Sequence, residues 1–202
     1  MDTVKIDLKV FARSANGSGE IDPGKLIPIF HRWIQEQVLD ELMIDVADYS
    51  HVPDGPSIIL LCHDAQYGLD RSGGDLGLLY SRRRETRASV AGIDSLSSRL
   101  LSVFSAALEA CARLESEPAL GGRLSFPADR FRLTVNDRLY GAESVDLLQG
   151  ELRALAEKLF PESSGMEIEA SSEDRVCLDL RLAQSIGSSA LLGRLHELAG
   201  KA

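Results

Sequence analysis

Val4, Ile6, Leu8 and Val10 alternate with Lys5, Asp7 and Lys9, and a period of two puts the apolar set on one face of a strand. The polar stretch Arg13–Glu20 ends that strand. Asp22 then offers an N-cap and Pro23 suits a first helical position. Leu26, Phe30, Trp33, Ile34 and Val38 fall on one arc of the predicted helix. Leu42, Ile44 and Val46 alternate again. After a loop over Asp48–Pro56, the run Ile58-Ile59-Leu60-Leu61 is apolar on both faces, as a central strand is. A further strand is expected over about Leu76–Arg84, beyond the Gly-rich link Arg71–Asp75.

The longest amphipathic helix comes next. Leu96, Leu100, Val103, Phe104, Ala107, Leu108, Cys111 and Leu114 hold helical spacing, with a start near Asp94 and a stop at Pro118 and Gly121–Gly122. From Arg130 the order begins again: Phe131, Leu133 and Val135 alternate, Leu148, Leu152, Leu155 and Leu159 form a helix, and Met166, Ile168 and then Val176, Leu178, Leu180, Leu182 make two more strands. A short helix around Ala190–Leu198 closes the chain. Strand, helix, hairpin thus occurs over 4–63 and over 131–182. The expected fold is α+β, a mainly antiparallel sheet with helices on one face, carrying two pattern-level β-α-β-β repeats. The expected division is a first β-α-β-β-β unit over 1–90, a linking helix over 91–122 and a second β-α-β-β unit with a C-terminal helix over 123–202, packed as one compact domain.

Charge and cysteine usage narrow the functional classes. The net charge is −9 over 202 residues, split as −4 in residues 1–100 and −5 in 101–202, with no basic patch of domain size. Phosphate-driven nucleic-acid binding is therefore not expected. No stretch reaches the ~20 apolar residues that cross a bilayer, and no leader pattern precedes the first strand. Cys62, Cys111 and Cys177 are scattered and fit neither a disulfide framework nor a zinc site. The cytoplasm is the expected location, and no cofactor is called for. Cys62 and Cys111 fall at core positions, Trp33 is a core anchor, and His31 and His196 sit at the margins of apolar arcs as structural histidines do.

Candidate chemistry gathers in one stretch. Asp48, Tyr49, His51 and Asp54 crowd the first hairpin loop, followed by Cys62-His63-Asp64, and polar groups on loops of a rigid scaffold are where function sits. A hairpin of 42–48 with 57–63 puts His63 about 20 Å from His51, which argues against a shared metal ion. If the strand ending in Arg82 and Arg84 runs antiparallel beside 57–63, its arginines return to the loop end, and a right-handed crossover brings Arg13 there too. Arg13, Asp48, Tyr49, His51, Asp54, Arg82 and Arg84 then form an expected ligand-binding edge, since arginine forks grip carboxylates and phosphates. The leading expectation is a non-catalytic module that takes a small anionic ligand or a protein partner at this edge. One alternative is an enzyme with His51 as general acid or base and the arginines holding an anionic substrate. Another is a scaffold that acts through a sheet edge, and a homo-oligomer is among the assemblies such an edge allows. In the second half, Arg132, Thr134, Asn136, Glu167, Glu169, Asp179 and Arg181 share the helix-free face, either as cross-strand charge pairs or as a polar docking surface for a second subunit.

Overall fold

The computed structural model describes residues 5–14, 21–52, 55–82, 95–136, 142–162, 165–172 and 175–200. Ten strands and four helices follow in chain order among them: β1 (Ile6–Phe11), β2 (Arg13–Ser14), α1 (Leu26–Glu36), β3 (Met43–Asp48), β4 (Pro56–Cys62), β5 (Ala65–Asp70), β6 (Gly77–Arg82), α2 (Leu96–Glu115), β7 (Leu124–Ser125), β8 (Arg130–Val135), α3 (Ala142–Leu159), β9 (Met166–Ser172), β10 (Val176–Leu182) and α4 (Ser188–Ala199). Eight strands make one sheet in the order β3-β4-β5-β6-β1-β8-β10-β9, and β2 pairs with β7 in a separate ribbon. Every neighbouring pair in the large sheet is antiparallel. This is the α+β architecture that the alternating patterns predict.

The helices cover one face. α2 packs on β1 and β6 and against α3 and α4, while α1 lies on β3. The apolar periodicities explain this layer directly: Leu8 and Val10 of β1, Leu78 and Tyr80 of β6 and Phe131 and Leu133 of β8 meet Leu100, Phe104, Ala107 and Leu108 of α2 in a single core. Phe104 and Phe131 pack with tilted rings, centroids 5.3 Å apart. Asp22 caps the 3-10 turn that leads into α1 by accepting from the Gly24 N–H, and Ser95 caps α2 by accepting from the Ser98 N–H. Asp94, expected as that cap, lies outside the described residues. The indole of Trp33 donates to Glu117 across 2.8 Å, which ties α1 to the end of α2.

Two expectations about topology need correction. Ala65–Asp70, to which the sequence pattern assigns no element, form β5, wedged between β4 and β6. The sequence AQYGLD mixes a glycine and polar residues into the strand, which hides its apolar positions Ala65, Tyr67 and Leu69. The halves are also unequal. After its helix β1 is followed by four sheet strands, β3 to β6, whereas β8 is followed by only β9 and β10, so the two are not equivalent β-α-β-β units. They meet at the centre, where β1 pairs with β8 and Leu8 stands opposite Leu133.

Candidate functional site

The hairpin loop and the arginines are best located from strand direction. Call the two ends of the sheet the Asp48 end and the Glu41 end, after the residues flanking β3. β3 and β4 pair as expected: the Tyr49 N–H donates to the Ser57 carbonyl at 2.6 Å and the His63 N–H to the Leu42 carbonyl at 2.9 Å. His51 and His63 therefore stand at opposite ends. Among the described residues no three His, Cys, Asp or Glu side chains gather closely enough to hold a metal ion.

Because β5 intervenes, β6 runs parallel to β4 and ends at the Glu41 end, with Arg82 opposite Ala65. Arg82 thus lies about 20 Å, a strand length, from the Asp48 turn. Arg13 does reach the Asp48 end, but four strand spacings away, about 19 Å. There it pairs with Asp129 in a cleft of ≈380 Å³ that also holds Arg130 and Arg181. Asp48, Tyr49 and His51 stay together on an exposed turn. The Ser50 N–H donates to Asp48 Oδ1 at 2.8 Å, and bonds from Ser50 hold the Asp48 carboxyl below its ordinary range. Tyr49 stacks on His51 at 6.3 Å. Asp54 and Arg84 lie outside the described residues. The geometry brings Asp48, Tyr49 and His51 together and leaves Arg13 and Arg82 apart from them.

Arg82 belongs instead to a cavity of ≈450 Å³ at the Glu41 end, walled by the sheet, α2 and α4. Tyr67 of β5 and Tyr80 of β6 point to the helix side and pack with centroids 4.9 Å apart. Both are buried, and a buried phenol needs a hydrogen-bond partner. The link from α1 to β3 supplies it: the Tyr80 hydroxyl donates to Glu41 Oε1 at 2.6 Å. Arg82 Nε donates to the Tyr80 oxygen at 3.1 Å and its Nη2 to Ser102 of α2 at 2.9 Å, with Glu41 3.9 Å away. Asp40, Ser98, Ser105, Glu109 and His196 complete the polar lining, and Leu101, Ala106, Leu195 and Ala199 the apolar lining.

The electrostatics of this floor are unusual. Burial pushes the Glu41 carboxyl above its ordinary value, opposed by the Tyr80 bond, the Arg82 charge and Tyr67. Burial likewise pushes the Tyr67 and Tyr80 hydroxyls up, with the Glu41 charge adding to it, so both remain protonated donors. Glu41 Oε2 is buried and has no hydrogen-bond partner among the described residues. A carboxyl of raised pKa in a pocket of mixed lining is the kind of group that marks a candidate binding site.

Sequence reasoning missed Glu41, Tyr67, Tyr80, Ser102 and Glu109, and assigned His196 a structural place although it stands in the cavity wall. The signal was indirect. Two tyrosines at core positions of adjacent strands require acceptors, and Asp40-Glu41 lies where α1 turns into β3. A second cavity of ≈500 Å³ lies between α1, α2 and α4 around Arg32, Trp33 and Glu117, but its glutamate is already engaged by Arg32 and Trp33. No helix among the described residues is long and apolar enough to cross a membrane. In comparisons with protein-family models, with curated proteins and with solved structures, nothing matches this chain.

Proposed function

We propose that this protein is a non-catalytic binding module of the cytoplasm that holds a small ligand in the cavity at the Glu41 end of its sheet. The observation that carries this reading is the cavity itself, in which the Glu41 carboxyl, fixed at Oε1 by Tyr80, and the Arg82 fork share a mixed polar and apolar lining with Ser98, Ser102 and Ser105. A few convergent polar groups in a partly apolar pocket fix the orientation of a bound small molecule. Among the described residues of the expected ligand edge, Arg82 lines this cavity, and its fork is held in place by Tyr80 and Ser102. Among the described residues, Asp40, Glu41 and Glu109 outnumber Arg82 and His196 in the walls. That balance favours a neutral or amine-bearing ligand with hydrogen-bond donors over the small anion that the arginines alone suggest. The three cysteines remain thiols, which suits a reducing compartment.

A thermal-shift panel of uncharged polyols, amides and primary amines, set against sugar phosphates and dicarboxylates, tests the reading. Donor-rich compounds are expected to raise the melting temperature, and the rise to vanish in Glu41→Gln and in Ala106→Phe, which fills the cavity from α2. A stabilising compound that works equally on Ala106→Phe binds elsewhere and sinks the proposal. If only anions stabilise, and Arg82→Gln abolishes the effect, the ligand class is wrong while the cavity stands.

A further inference from the structure

One edge of the large sheet is left open in a way the other is not. Five large apolar side chains are exposed among the described residues, and four of them, Leu42, Ile44, Tyr49 and Val52, lie in or beside β3. β3 is a terminal strand of the sheet. Leu42 is 61% and Ile44 56% exposed. The register slips between Met43 and Asp45, so Ile44 is the extra residue of a bulge, while Met43 beside it stays buried in the core. The opposite edge, β9, carries the exposed Glu167 and Glu169 at alternate positions, the charged guard that natural edges commonly use.

The backbone of β3 is also available. The Tyr49 N–H points inward to Ser57, and the alternation of an antiparallel ladder then turns Ala47 and Asp45 inward and Val46 and Asp48 outward. The outward Val46 N–H is held only by the neighbouring carboxylate, Asp45 Oδ1, at 2.8 Å. Among the described residues no strand lies beyond β3 in the sheet.

Charge decides what fits there. Between Arg32 and Arg71 the chain has no lysine or arginine, and residues 33–70 carry eight of its 31 acidic residues. Comparing the two halves of the chain conceals this concentration. Asp45 and Asp48 stand exposed on β3 itself. A second copy paired through the same edge would bring Asp45 and Asp48 of both chains together, with no cation from either segment to offset them. A strand with lysine or arginine between apolar residues meets the carboxylates and the apolar row at once.

We propose that β3 is a docking edge for an extended, basic segment of another protein, apolar at alternate positions, which adds to the sheet as a further strand. Backbone hydrogen bonds to Val46 and Asp48 set its register, Ile44 and Leu42 offer apolar contact, and the Asp45 carboxylate leaves the Val46 N–H to pair with a partner cation. The site is separate from the Glu41 cavity, whose ligand reaches the helix side of the sheet.

Titration of the isotopically labelled full chain with a hexapeptide alternating valine and lysine, followed by amide resonances, tests this. A hexapeptide alternating valine and glutamate is the comparison. The expected result is shifts confined to residues 42–52 and their β4 neighbours with the lysine peptide alone, weakening as salt is raised. Ile44→Lys, a change at an exposed position that leaves the core intact, is expected to weaken binding about tenfold or more, the equivalent of 1.4 kcal/mol. Leu147→Lys, at the exposed apolar residue on α3, is expected to leave it unchanged. Shifts elsewhere on the molecule, no shifts, or equal binding of the glutamate peptide would each overturn the proposal. So would self-association of the chain that Ile44→Lys disperses, since a second copy would then own the edge.

Discussion

Lys9 and Asp70 show how much a single small residue can decide. Both are nearly sealed from solvent, at 4% and 1% exposure, on the face of the sheet that carries no helix. Lys9 Nζ bonds Asp70 Oδ2 at 2.6 Å and the Ser72 carbonyl at 3.0 Å. Yet β1 and β5 are not neighbours; β6 runs between them. The lysine stem crosses β6 at Gly77, where an added Cβ would stand 2.7 Å from the Val10 carbonyl oxygen and 2.9 Å from Lys9 Cε. Gly77→Ala is therefore expected to cost about 1–3 kcal/mol through overpacking. Lys9→Met leaves Asp70 buried and uncompensated, at a cost of about 3–5 kcal/mol, and adding Asp70→Asn is expected to restore a large part of it. Urea unfolding of the three variants checks both statements. Loss below about 0.5 kcal/mol in Lys9→Met would show that water reaches Asp70.

Glu41 makes the opposite kind of statement, because its folded-state carboxyl titrates above the ordinary value of 4.5. The folded chain then holds that proton more tightly than the unfolded one, so stability falls as the pH rises from the ordinary value through the raised one. Glu41→Gln removes the titration and keeps an acceptor for Tyr80. Its melting temperature is expected to exceed that of the parent at neutral pH and to converge with it in acid. A gain of equal size at every pH would trace to packing instead.

At the scale of elements, periodicity carried as far as one face of each element was apolar. β1, α1, α2, β8 and β10 show clean repeats of two or 3.6 residues and stand where those repeats put them. Leu100 and Leu108 are fully buried at mid-stripe on α2, so truncating either to alanine is expected to cost about 2–5 kcal/mol in chemical denaturation. A loss under about 1 kcal/mol would mean that α2 rides on the surface. β5 was illegible for a physical reason: its helix-free face is filled by Gln66, Gly68 and Asp70, and Gly68 itself is needed because a Cβ there would stand 2.9 Å from Pro56 Cβ. Missing one strand reversed the direction assigned to β6. Arg82 then moved from the hairpin turn to the other end of the sheet. The cross-strand pairs of the second half were easier, because they depend only on adjacent strands: Arg132 grips Asp179 through two bonds of 2.8 Å, and Arg181 stands 4.0 Å from Glu169.

At the scale of the whole molecule, the candidate cavity was illegible because it is assembled from distant stretches. Glu41 comes from a turn, Tyr67 and Arg82 from two strands, Ser102 from α2 and His196 from α4, and no local spacing links them. What a single stretch does reveal is composition, and the run from 33 to 70 without a cation marks the open β3 edge. The same layout bears on how the molecule is put together. The large sheet is joined across its middle by the pairing of β1 with β8 alone, while β3–β6 and β8–β10 each close on strands nearby in sequence. During synthesis, β1 must wait for residues beyond 130 before its second flank is covered, and such long closures are slow. A chain cut in the turn at Gly121–Gly122 would leave two pieces, each with half of this seam bare. Made separately, those pieces are expected to be sticky and poorly soluble; made together, they are expected to find each other and rebuild the sheet, a natural split point for fragment complementation.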